Sequence, residues 1–271
     1  MEENQPKHLY KYRVANDLSL DALKRGLVWY SKPEGLNDPH DVSARWQKDF
    51  TDKEIVEDYL MMREVGTPVS GIADEVKKLL SKGWSYKKIL KYFDDLFMPV
   101  DRKPQRELLQ DVLYYNEVMF SAMGVLSLSE DPLHQLMWAH YSDSHKGFCL
   151  GFENHETNII GQYGSEVNYF KKMPKPNIRG FQKGGGGEVI NMIAYSKSLD
   201  WKYEKEWRIL KQTGNNLYSY PGKLSEVILG LKISSEDEDK VRNAVTESGY
   251  APLYKRVVKN DGQYDISFVE C

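Results

Sequence analysis

Hydrophobic and polar positions divide the chain into stretches of different period. Near the N-terminus, His8–Arg13 and Leu27–Ser31 are short runs of aromatic and aliphatic residues that predict strands. Between them Leu20 and Leu23 predict a short helix over Ser19–Arg25, stopped by Gly26. From about 51 to 120 the period becomes helical. Ile72, Val76, Leu79 and Leu80 form one stripe, Ile89, Leu90, Phe93, Leu96 and Phe97 a second, and Leu108, Leu109, Val112 and Leu113 a third. Thr51 and Glu54 make a capping box ahead of the first piece, and Gly83, Pro99 and Pro104 punctuate the rest. These stripes are core-forming and have no cofactor role.

Strand-like runs return after Gly124. Gly124–Ser129, Phe148–Phe152, Glu166–Phe170 and Glu226–Ile233 are the clearest, with two more near Leu253–Val258 and Tyr264–Val269. Asp131–Ser142 predicts a helix with Pro132 in its first turn, and another helix is expected over Glu188–Ser198. Residues 174–187, with two prolines and the Gly184–Gly187 run, predict a loop. Ser235 with Glu238 forms a capping box for a helix carrying Val241, Ala244 and Val245. Strands with helices between and beside them predict one α+β domain over 1–271, with 51–120 a helical insertion or subdomain.

Composition narrows the function classes. The formal net charge of -3 gives no global field for nucleic acid or membrane. Cys149 and Cys271 are the only cysteines, which excludes a disulfide scaffold and a thiolate zinc cage and fits a reducing compartment. The start, Met-Glu-Glu-Asn-Gln-Pro, lacks the charged and apolar segments of a signal peptide, and no apolar run approaches the ~20 residues that span a bilayer. A cytoplasmic protein without membrane contact is expected.

The window Asp200–Leu210 carries the densest chemistry. Read as a strand of period two, it puts Glu204, Glu206 and Arg208 on one face, opposite Lys205, Trp207 and Ile209. Carboxylates beside a guanidinium can stabilise a developing cation or take a proton. Alone, the row reads more simply as an exposed, self-neutralising strand surface.

Three other segments offer candidate groups. Met137–Gly147 holds Trp138, His140, Tyr141, Asp143 and His145, where Trp138 and Tyr141 share a helix face. Too few ligands at metal spacing accompany these histidines for a metal site. Asn37-Asp-Pro-His-Asp41 is a stiff polar loop just past a strand, a usual place for ligand-holding groups. The glycine run lacks a Walker lysine-serine pair, there is no Gly-x-Ser-x-Gly, and Cys149 lies in an apolar strand where a thiol is inert.

Four segments, Leu9–Arg13, Trp29–Pro39, Met137–Phe152 and Trp201–Arg208, taken in order, resemble a bacterial and phage family, domain of unknown function 2971. More distantly, the order of parts is similar to ADP-ribosyltransferases, including a DNA-modifying toxin branch. Those proteins carry a ligand-holding residue on an early strand and a catalytic glutamate, often in Glu-x-Glu, on a late one. Glu204-Lys205-Glu206 matches the late motif, and Lys11–Arg13 takes the early position. The resemblance implies an ADP-ribosyltransferase-like core with a mixed, mostly antiparallel sheet. It also implies NAD as cofactor, used to modify a macromolecular acceptor, nucleic acid or protein, in toxin or phage-defence biology. Glu206 would contact the ribose and Glu204 face the acceptor, while Lys11, Tyr12, Arg13, Asn37, Trp138, His140, Tyr141 and Arg208 would hold NAD. A non-catalytic binding module on the same fold and a metal-dependent nuclease are the alternatives.

Overall fold

The computed structural model describes residues 5–43, 46, 50–61, 71–97, 105–177 and 186–271. Pro99, Pro104, Gly184 and Gly185 lie outside them, as do the side chains of Leu108 and Leu109. Contacts divide the chain into two compact units, one of residues 1–43, 120–173 and 194–271, the other of 44–119 and 174–193.

The first unit is built on an eight-stranded sheet. Its strands are β1 (His8–Arg13), β3 (Gly124–Ser129), β4 (Phe148–Glu153), β5 (Ser165–Glu166), β8 (Glu206–Lys211), β10 (Leu224–Leu229), β11 (Leu253–Lys259) and β12 (Ile266–Glu270). Their spatial order is β12-β11-β10-β4-β1-β3-β8-β5. All neighbours run antiparallel except β10 and β11, which are parallel and joined through helix α9 (Ser235–Ser248). The fold is therefore α+β with a mixed, mostly antiparallel sheet. Two small ribbons accompany it, β2 (Leu27–Tyr30) with β9 (Asn216–Ser219), and β6 (Asn168–Phe170) with β7 (Ser196–Ser198).

Strand alternation produces two cores. Leu9, Leu126, Leu128, Phe148, Leu150, Phe152, Trp207 and Ile209 face one side, where α1 (Asp17–Lys24) and α9 supply Leu20, Leu23, Val241 and Val245. Tyr10, Tyr12, Cys149, Ile228 and Val257 face the other, beneath Met137 and Trp138 of α6 (Gln135–Tyr141). Glu206 and Arg208, offset by one from Trp207 and Ile209, share that second face.

Local signals set several element ends. Asn16 caps α1 by accepting from the Ser19 amide, and Gly26, at φ 66°, takes the left-handed turn that follows. The cap of α9 is Ser234 with Asp237, one residue ahead of the expected Ser235 and Glu238, because Ser235 is already helical. Pro132 precedes α6, whose cap position is His134. After α6, Asp143, Ser144 and His145 occupy left-handed backbone in succession, and the Gly147 amide returns to the Ser142 carbonyl at 2.8 Å. A methyl group at Gly147 would run into the Arg13 carbonyl of β1. Gly147→Ala is therefore expected to destabilise the protein by about 1–3 kcal/mol, read as a lower urea midpoint with unchanged slope.

The second unit is helical in the region read as an insertion. It holds α2 (Asp52–Met61), α3 (Ile72–Ser81), α4 (Tyr86–Phe97) and most of α5 (Gln105–Ala122) and of α8 (Gly186–Ala194), whose last residue, Ala194, belongs to the first unit. Helix α7 (Ile159–Tyr163) belongs to the first unit. The Thr51–Glu54 capping box forms in both directions, and Val76, Leu79, Ile89 and Phe93 are buried. Among the described residues no helix is long and apolar enough to cross a membrane.

Candidate active site

The sheet of the first unit is split between β1 and β3, the fifth and sixth strands in its spatial order. β1 and β3 share a single register pair, Tyr10 with Ser129, and then part. Lys11 bridges the opening by donating from Nζ to the Ser127 carbonyl at 2.8 Å. A cavity of about 220 Å³ lies there, walled by Tyr10–Tyr12, Ser127–Ser129, Leu36, Asn37, Asp41, Met137, Tyr141, Lys197, Glu204 and Glu206.

Asp200–Leu210 does not form one continuous strand. Leu199–Glu204 is a 3-10 helix, begun by Ser198, whose hydroxyl accepts from the Asp200 amide. Lys205 follows in left-handed backbone, φ 44° and ψ 55°, and β8 starts at Glu206. The turn is pinned to the end of β3: Ser129 Oγ donates to the Glu204 carbonyl at 2.6 Å and the Glu130 amide to that of Lys205 at 3.1 Å. Both glutamates consequently face the same point. The exposed-row reading is overturned, because Glu204, Glu206 and Arg208 are 3%, 2% and 0% exposed.

Burial is made tolerable by partners from distant segments. Arg208 holds Glu206 with two donors along one edge of its guanidinium, Nε to Oε1 at 2.7 Å and Nη2 to Oε2 at 3.0 Å. Its remaining donors reach Asp41 Oδ2 at 2.6 Å and the Ala194 carbonyl at 2.7 Å. Lys197, delivered by β7, donates to Glu204 Oε2 at 2.5 Å and Glu206 Oε2 at 2.8 Å, and lies 3.4 Å from Asp41. Beside it in the ribbon, Tyr169 accepts the Glu206 amide at 2.8 Å. Tyr141 donates to Glu204 Oε1 at 2.5 Å and is itself donated to by Asn37 Nδ2 at 2.7 Å.

The two glutamates share Lys197 but differ in acidity. Burial raises the Glu204 carboxyl, and Lys197 only partly offsets this because Glu206 adds like charge. Burial also acts on Glu206, but Arg208 and then Lys197 more than reverse it, leaving the carboxyl well below its usual range. For Lys197 the order is the same: burial disfavours the ammonium, and Glu206, Glu204 and Asp41 overcome it and raise its pKa. Lys11 donates to the Ser127 carbonyl, and Glu206 and Glu204 act on it only through space. Burial, with Arg13, lowers it to about 8.

The depressed Glu206 pKa has a signed consequence. Its contribution to stability is full above the unfolded carboxyl pKa of ~4.3 and disappears as the pH falls through the folded value. The difference in urea midpoint between wild type and Glu206→Gln should be largest near neutrality and shrink in strong acid. A difference that stays constant down the acid range would contradict the ion-pair assignment.

The expected ligand-holding residues divide. Lys11, Tyr12, Asn37, Tyr141, Glu204 and Glu206 line the cavity. Arg208 lies behind it as the partner of Glu206 and Asp41. Trp138 is fully buried, packed edge-to-face on Tyr12 at 5.1 Å and donating to the Pro132 carbonyl, so it supports the wall from behind. Arg13 sits beside Tyr220 of the first core, and His140 is exposed at the end of α6. Cys149 is buried and its thiol pushed up by burial, in keeping with an inert side chain. Lys197, Asp41 and Tyr169 complete the cluster without having been singled out as site residues. Asp41 was signalled only by the polar loop, and a single lysine at position 197 gave no signal. Among the described residues no group of His, Cys, Asp or Glu is placed to hold a metal ion.

Residues 137–209, which run from the Tyr141 helix to the Arg208 strand, match the model of the family described as Protein of unknown function (DUF2971). This bears out the resemblance to that family, over the Met137–Phe152 and Trp201–Arg208 segments. No curated protein and no solved structure matches the chain.

Proposed function

We propose that the protein is an NAD-dependent ADP-ribosyltransferase-like enzyme acting at this cavity on a macromolecular acceptor. The observation that carries the reading is a pair of buried carboxylates on one cavity wall, Glu204 and Glu206, bridged by Lys197 and otherwise held by different partners, Tyr141 and Arg208. Environments that push two neighbouring carboxyl groups apart divide catalytic labour between them.

NAD enters as substrate. A cavity of about 220 Å³ is below the roughly 300–1,000 Å³ that encloses a drug-sized ligand, so it takes the nicotinamide-ribose end only. Tyr10 and Tyr12 line it with aromatic side chains, and Lys11 and Lys197 bring cations to it. When the bond between nicotinamide and ribose C1′ breaks, its electron pair leaves with nicotinamide and positive charge grows on the ribose. Glu206, held ionised, stabilises that charge through space. The acceptor then bonds to C1′ and gives its proton to Glu204, whose raised pKa suits a base.

Labelled NAD incubated with the protein and cell extract tests the reading. Wild type should release nicotinamide and transfer label to a macromolecular fraction, and Glu204→Gln should do neither at a comparable rate. If wild type releases no nicotinamide and transfers no label, the reading fails, and a binding module is the better account of the same cleft.

A further inference from the structure

The cavity wall formed by Tyr10 is tied to a second charged group on the opposite side of β4. Cross-strand registers align Glu226 of β10 with Gly151 of β4, Gly151 with Tyr10 of β1, and Tyr10 with Ser129 of β3, which itself pairs with Glu206 of β8. Directly paired residues project to the same face of a sheet. One lateral row therefore runs from Glu226 to Glu206, with the cavity near one end.

Gly151 is the gap in this row. A methyl group there would stand 3.0 Å from the Tyr10 ring and 3.0 Å from Glu226 Cβ. Without it, the Tyr10 ring lies across β4, and its hydroxyl donates to Glu226 Oε2 at 3.2 Å. The other oxygen, Oε1, accepts from Lys255 Nζ at 2.6 Å, and both of these side chains are largely buried. Lys255 is in turn placed over the Phe268 ring of β12, 4.5 Å from its centroid. A shift in the Glu226 row registers as a bulge at Ser225, between the Leu224 and Glu226 pairings. The bulge turns Glu226 onto the Tyr10 face, while Leu224 and Val227 keep to the first core.

We infer that Glu226 is a positioning residue for the cavity, acting through Tyr10 across the vacancy at Gly151, with Lys255 fixing the carboxylate. Glu226 does not line the cavity, whereas Tyr10 does. Tethering the hydroxyl on the far side of β4 turns the polar tip of Tyr10 away from the space between β1 and β3, while the residue remains part of the cavity wall. A ring held in this way is preorganised for a planar ligand group, and preorganisation is expressed in binding more than in chemistry. Assigning that group as the nicotinamide of NAD rests on the proposed function above, whereas the tether itself does not.

Three variants test it: Glu226→Leu, which removes the acceptor; Glu226→Gln, whose amide oxygen can still accept; and Tyr10→Phe, which keeps the ring and removes the donor. The first readout is the ring spectrum of Tyr10 by NMR in tyrosine-labelled protein, assigned from Tyr10→Phe. Glu226→Leu should shift or broaden it, and Glu226→Gln should leave it close to wild type. The second readout is nicotinamide release. Glu226→Leu and Tyr10→Phe should each raise KM for NAD about tenfold with kcat within about twofold, and combining them should add nothing. Glu226→Gln should rescue both readouts. A Tyr10 spectrum unchanged in Glu226→Leu would overturn the tether. A changed spectrum with unchanged KM would overturn its role at the cavity. If wild type releases no nicotinamide at all, the proposed function falls, and the ring spectrum alone decides whether Glu226 positions Tyr10.

Discussion

Arg208→Met should cost about 3–5 kcal/mol of folding stability, seen as a large fall in the urea midpoint at pH 7. Arg208 has no exposed surface and spends its fork on Glu206, Asp41 and the Ala194 carbonyl. Methionine fills much of the same volume but leaves Glu206 and Asp41 buried with Lys197 as their only cation among the bonds described. The loss comes from those stranded carboxylates, since the desolvation of a buried ion pair nearly offsets its attraction. Arg208→Lys should not rescue, because an ammonium cannot reproduce a two-pronged contact on Glu206 together with two further bonds. Replacing Glu206 by Gln in the Arg208→Met background should restore part of the loss by removing one stranded charge. If Arg208→Met lowers stability by less than about 1 kcal/mol, the cluster behaves as a surface ion pair and this account of it is wrong.

This ion-pair core also explains what could be read in advance. Period-two alternation correctly opposes Glu206 and Arg208 to Trp207 and Ile209, because that part of the segment is a strand. It misplaces Glu204, which ends a 3-10 helix and is brought alongside Glu206 by left-handed backbone at Lys205. Nothing in Glu-Lys-Glu announces that turn, since lysine is an ordinary strand-surface residue and a costly one in that conformation. The burial of the row was equally hidden. Four charged side chains in a five-residue window suggest solvent until Lys197 and Asp41 arrive, and Asp41 lies 167 positions from Arg208. The helical periods of 72–80 and 89–97, by contrast, need no distant partner to be recognised, and they appear as α3 and α4. Cavity-lining Tyr12, Asn37 and Tyr141 were anticipated from ordered motifs, while Trp138 joined them by proximity in sequence and serves the core instead.

Glu204→Gln should lower transfer by about 10²–10⁴-fold, the usual worth of a positioned general base. The substitution is nearly isosteric, and the amide oxygen can still accept one of the two bonds that Tyr141 and Lys197 now donate. Stability should consequently change far less than in Arg208→Met, so the activity loss cannot be assigned to unfolding. The pH profile separates this role from simple electrostatics. Glu204 must be ionised to take a proton, and its folded pKa lies above the ordinary carboxyl value through burial and the charge of Glu206. Wild-type kcat should therefore fall as the pH drops through that raised pKa, at a pH where Glu206, held well below it, is still ionised. The residual activity of Glu204→Gln should lack this limb. Moving the limb is possible from outside the pair: Tyr141→Phe removes a hydrogen bond to the carboxylate and should shift the limb to higher pH. A profile for Glu204→Gln that keeps the wild-type acid limb would place the titrating base elsewhere, and unchanged kcat would leave Glu204 as no more than a buried partner of Lys197.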